Sequence, residues 1–185
     1  ASEAVRWEWL LHSPTEFKMD VTKKTLSTNN KTQGWVAVTQ LFGGHVFTLS
    51  QTDRFVVPPA ITGAEYPNQW HLTARVDGCS ATRFLAIIQV GDEAVSIINR
   101  DGDTFNVGDW TVKAVLDASK APELTVSHRT EQAVFSYGTD NPALNGNFYS
   151  RQYTGSSLLY DEIDGVYQVV EMTDRSPIST WVVNQ

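Results

Sequence analysis

The chain has 185 residues and a mass of 20.6 kDa, enough for a single domain over 1–185 with a sizeable core. Fourteen Lys and Arg against 21 Asp and Glu give a net charge of -7 and a pI near 5.0, which argues against nucleic acid and against an anionic membrane as partners. A composition of 41% hydrophobic and 19% charged residues excludes global disorder, and the one cysteine, Cys79, excludes an internal disulfide.

Period-two alternation dominates from the start. Val5, Trp7 and Trp9 alternate with Arg6 and Glu8, which predicts a half-buried strand. The next stretch, Pro14 to Met19, offers at most a single helical turn. Lys18, Lys23, Lys24 and Lys31 then surround one acid, Asp20, just ahead of Trp35; the stretch reads either as a groove for a polyanion or as a solvated loop. Strands are predicted at 35–42 and 84–90, where both faces are apolar, as in central strands covered by a second layer. Alternating strands follow at 45–50, 70–76 and 110–116, with further ones at 93–98, 123–127, 131–136, 165–172 and 179–183. Turn signals separate them, among them Asn29-Asn30, Gly43-Gly44, Pro58-Pro59, Asp77-Gly78, Asp101-Gly102 and Asp164-Gly165. The pattern predicts an all-β fold, an antiparallel β-sandwich of about a dozen strands. The stretch from Tyr137 to Glu162, rich in Gly, Asn, Ser and Tyr, reads as a long loop.

Common catalytic signatures are missing: no G-x-S-x-G elbow, no H-E-x-x-H, no phosphate loop and no C-x-x-C pair. His12, His45, His71 and His128 are far apart in sequence and form no local metal motif. Asn99 to Asp103 has the D-x-D spacing of Ca²⁺ loops but lacks a third acid and a closing Glu, so it reads as a β-turn, with a Ca²⁺ site as the alternative, and no other cofactor or metal is expected.

Two clusters can hold a sugar. If Asp77-Gly78 closes a hairpin pairing Arg75 with Arg83 and Gln69 with Gln89, then Gln69, His71, Thr73, Arg75, Arg83 and Gln89 share one face over an apolar reverse side. Facing arginines would then be relieved by an anion such as a uronate carboxylate; the alternative is a solvated face with each Arg paired to an acid. In the long loop, Tyr149, Arg151 and Tyr153, with Tyr137 and Asn147, combine stacking rings with donors, or else fold back as a lid. Trp7, Trp9, Trp70 and Trp110 alternate with polar neighbours, which predicts core placement for all four.

The segments WEWLLHS (7–13), YPNQWHL (66–72) and RFLAIIQV (83–90) are similar to the C-terminal β-sandwich region of heparinase II/III-like polysaccharide lyases. The resemblance implies a secreted or periplasmic family that cleaves uronic-acid polysaccharides by β-elimination, with a helical toroid ahead of its β-layers. It also implies that the catalytic Asn, Tyr and His and a structural zinc site lie upstream of the region matched, so no catalytic residue carries over. The expectation is therefore a non-catalytic binding domain for an acidic polysaccharide such as a glycosaminoglycan or alginate, joined to a catalytic lyase domain in its parent chain. Two alternatives stand: a structural accessory domain that binds no sugar, and a small lyase using Tyr66, His71 and Arg83.

Overall fold

The structure is a computed structural model that describes residues 3–30, 35–54, 69–91, 96–129, 133–138, 143–144, 147–148, 156–163, 166–173 and 176–183. Among the described residues there is no helix, and every strand pairing is antiparallel. The all-β prediction holds. Two compact units divide the chain, Ala1–Val95 and Ser96–Gln185.

The first unit contains β1 (Val5–Ser13), β2 (Lys18–Asp20), β3 (Thr25–Asn30), β4 (Trp35–Gly43), β5 (Thr48–Thr52), β6 (Trp70–Cys79) and β7 (Phe84–Gly91). They form two sheets, one in the order β1-β6-β5 and the other β2-β3-β4-β7. Between them lies the core: Phe17, Leu26, Leu41, Phe47, Leu72, Ala74 and Val76, with Trp9, Leu11, Leu49, Trp70, Phe84 and Ala86 packed against it. Side chains from both sheets meet there, so this unit is a sandwich. Alternation assigns the faces as expected, with Leu72, Ala74 and Val76 buried and His71, Thr73 and Arg75 on the opposite side.

One connection differs from the prediction. Asp77-Gly78 does not turn the chain into a β6–β7 hairpin; β6 runs through it to Cys79. Opposite it, Val5 pairs with Cys79 and Trp7 with Val76, so β6 spends one more residue than β1 over this interval. Gly78, at φ +76°, supplies the left-handed backbone that such a bulge requires. Beyond it the chain crosses to the other sheet, where β7 pairs with β4. The lysine-rich stretch also differs, because Lys18–Asp20 and Thr25–Asn30 are strands joined by a turn in which Asp20 Oδ1 accepts from the amides of Thr22 (3.1 Å) and Lys23 (3.0 Å).

The second unit contains β8 (Ile98–Asp101), β9 (Thr104–Val107), β10 (Trp110–Ala114), β11 (Leu124–His128), β12 (Ala133–Tyr137), β13 (Ala143–Leu144), β14 (Asn147–Phe148), β15 (Ser157–Ile163), β16 (Val166–Thr173) and β17 (Ser176–Val183). All except the small β13–β14 pair line up in chain order as an eight-stranded meander. The stretch predicted as a loop from Tyr137 to Glu162 thus contains β15, whose Leu158 is fully buried and pairs with Ser136 and Glu171. The predicted turn at Asp101-Gly102 is present: it joins β8 to β9, with Gly102 at φ +57°.

The buried side of this sheet changes along its width. Phe105, Val112, Val126, Phe135 and Leu159 form one row across the strands, passing from fully buried Phe105 to 43% exposed Leu159. The neighbouring row runs the other way, from exposed Asn106 through Thr111 and Ser127 to buried Val134 and Val169. Strand β11 is where they cross, and all five of its residues are half-buried. Twist accumulating over eight strands turns each face gradually toward or away from solvent.

Candidate functional site

Strand β6 is the middle strand of its sheet, so its outward residues His71, Thr73 and Arg75 each have a neighbour on both sides. Register gives three rows: His12, His71 and Thr52; Leu10, Thr73 and Ser50; Glu8, Arg75 and Thr48. Eight of the nine side chains are hydroxyl, imidazole, guanidinium or carboxylate. The imidazoles of His12 and His71 meet edge to face, 4.4 Å between ring centres. Gln69, exposed, immediately precedes β6.

Arg75 is neutralised within its own strand. Its Nε donates to Asp77 at 2.9 Å to Oδ1, with 2.7 Å to Oδ2, and the Arg6 Nε lies 3.4 Å from the same carboxylate. Residues two apart share a face of a strand, so Asp77 reaches Arg75. The hydrogen bond from Arg75 holds the Asp77 carboxyl below its usual range, helped by Arg6; the same bond raises Arg75. Because the folded value for Asp77 is depressed, the pair's small contribution to stability is present above the ordinary carboxylate range and is lost as pH falls through the depressed value. Changing Arg75 to Gln is expected to move the Asp77 titration upward, read from its carboxyl carbon by NMR; an unmoved titration would mean that the pair does not persist in solution.

Only part of the expected cluster is brought together. His71, Thr73 and Arg75 belong to the β1-β6-β5 sheet, with Gln69 just ahead of β6, whereas Gln89 lies on β7 and Arg83 just before that strand. Gln89 pairs with Val38 on the side of the β2-β3-β4-β7 sheet away from the core. The outer faces of two packed sheets point opposite ways, so the Arg75–Arg83 and Gln69–Gln89 pairings are corrected: a chain that changes sheet after a bulge cannot form a hairpin there. The same separation parts His71 from Arg83 in the lyase alternative. Tyr149, Arg151, Tyr153 and Tyr66 lie outside the described residues, as do Pro58-Pro59 and Lys31.

Lys23 and Lys24 each have a separate partner. Lys24 turns back, donating from Nζ to the Phe47 carbonyl at 3.0 Å and lying 5.0 Å from the centre of its ring, while Lys23 sits 3.8 Å from Asp20. In the Ca²⁺-like turn, Arg100 Nε donates to the Gly102 carbonyl at 2.9 Å. No group of three or more His, Cys, Asp or Glu side chains is placed to hold a metal among the described residues.

Two features escaped the sequence reading. Trp9 and Trp70 pack against the core as expected, but Trp7 and Trp110 are 38% and 47% exposed. The Trp7 Nε1 donates to the Cys79 carbonyl at 3.1 Å, and Trp110 stands edge to face with His128 at 4.6 Å. Trp110 opens its strand directly after the exposed Gly108-Asp109 turn, and this place at a strand end is the sequence signal of its exposure. The second is His12, in step with Glu8 on β1 but meeting His71 only through a pairing distant in sequence. Comparison with protein-family models and with curated proteins gives no match.

Proposed function

We propose that this chain is a non-catalytic carbohydrate-binding domain that takes an acidic polysaccharide such as a glycosaminoglycan or alginate. The observation that carries the reading is the outward face of β1, β6 and β5, where hydroxyls and imidazoles stand in rows beside Arg75. Such groups suit sugar hydroxyls, and a guanidinium suits a uronate carboxylate. The resemblance to lyase β-sandwich regions supports a parent chain with a catalytic lyase domain and a secreted or periplasmic setting. A structural accessory role is favoured by a different observation: Ile88 and Val90, on the core-facing side of β7, are 51% and 67% exposed.

Calorimetry or affinity electrophoresis against uronate-containing and neutral glycans separates the two. Binding confined to the acidic glycans supports the proposal; failure with the whole panel leaves the accessory role. Asp77 competes with the ligand for Arg75 and Arg6, so Asp77→Asn is expected to strengthen acidic-glycan binding severalfold, and a weakened interaction would place recognition elsewhere.

A further inference from the structure

We infer that the facing pair His12 and His71 is a binding site for a divalent transition-metal ion that favours imidazole, such as Zn²⁺. These two imidazoles belong to the face proposed above to meet sugar, but metal binding by them is read without any glycan and does not rest on that reading. The two residues are directly opposed across the β1–β6 pairing, on the outward face of the sheet. Opposed side chains of an antiparallel pair rise from Cβ atoms about 4.5–5.5 Å apart, and their backbones are fixed by the ladder, so no chain entropy is lost in assembling them.

The ring geometry is close to that of two ligands on one ion. With metal–nitrogen bonds of about 2.0–2.1 Å at a tetrahedral angle, two imidazoles on a single Zn²⁺ hold their centres roughly 5 Å apart. His12 and His71 hold theirs at 4.4 Å with planes inclined by 61°. Ligation requires the two edge-to-face rings to part slightly and to rotate about their side-chain bonds until one nitrogen of each is turned toward a common point. The His12 ring is exposed and offers the path of entry, while the His71 Nε2 is shielded from solvent. The opposite neighbour of His71 is Thr52, a hydroxyl. Two imidazoles would therefore supply the protein ligands, with water completing the shell. Imidazole is the ligand of choice for Zn²⁺, Cu²⁺ and Ni²⁺ and disfavours Mg²⁺ and Ca²⁺, which sets the selectivity.

The test is calorimetry of the metal-free full chain with Zn²⁺, repeated with Mg²⁺, for the wild type and for His12→Asn, His71→Asn and His45→Asn. His45 contacts Thr82 elsewhere and serves as the control. One Zn²⁺ per chain is expected for the wild type and for His45→Asn, with no Mg²⁺ bound. Outer partners of metal ligands alone are worth about 10–100-fold in affinity, so losing either ligand should cost at least that much. His12 is exposed, so its variant folds, and circular dichroism checks both. A rise in melting temperature with Zn²⁺, seen in the wild type and lost in His12→Asn, is the second expected readout. Absence of Zn²⁺ binding by the wild type, or binding undiminished in both His12→Asn and His71→Asn, overturns the inference.

Discussion

Replacing Gly138 by alanine is expected to destabilise the protein by about 2–6 kcal/mol, because two costs fall on one site. Gly138 is buried at φ +120°, a backbone conformation that side-chain-bearing residues rarely adopt, and such strain costs of order 1–3 kcal/mol. A Cβ there would lie 2.5 Å from the Pro122 carbonyl oxygen and would also fall on the Glu123 carboxylate. Pro122 is fixed backbone and cannot move aside, and forcing an extra methyl into a packed site typically costs about 1–3 kcal/mol more. Gly102 provides the comparison: it too has a positive φ, +57°, but an added Cβ would meet nothing within 4 Å. Gly102→Ala should therefore cost only about 1–2 kcal/mol, the backbone share alone. Urea unfolding of the two variants measures the difference, and equal losses would mean that the close approach at Gly138 is relieved in solution.

The second large effect tests alternation on neighbouring residues. Leu72 is fully buried between the sheets, and Leu72→Ala removes its packing and leaves a cavity, a loss of about 2–5 kcal/mol. Thr73 follows it on the same strand and points outward between Leu10 and Ser50. Thr73→Ala should change stability by no more than about 0.5 kcal/mol. Comparable losses at both positions, measured by thermal or urea unfolding, would show that β6 does not present one dry and one wet side.

What the sequence discloses about β6 is its faces, because a period of two follows from strand geometry whatever the strand pairs with. It does not disclose its partners. The pairings of β6 with β1 and β5 join distant segments, and no local feature distinguishes them from the β7 pairing that the short Asp77-Gly78 connection invites. The same dipeptide suits a tight turn and a bulge, since both need a left-handed glycine. The Arg75–Asp77 contact was hidden by the same assignment: only once Asp77 belongs to the strand and not to a turn does it share a side with Arg75. In the second unit, the stretch 157–162 reads as loop because Gly155 and the polar stretch before it outweigh Leu158 and Leu159, yet Leu158 faces fully buried Ser136. Trp110 misleads for another reason: alternation tells which way a side chain points, not whether anything stands above it.

The crossing at β11 has a practical consequence for anyone altering this sheet. A polar-for-apolar exchange that is harmless on one side of β9 and β10 becomes damaging on that same side by β15 and β16, so no single pattern of tolerated residues can be transferred from one end to the other. Between them, Leu124 to His128 form a neutral strip, where each residue is wetted enough to accept a polar group and dry enough to resent a charge.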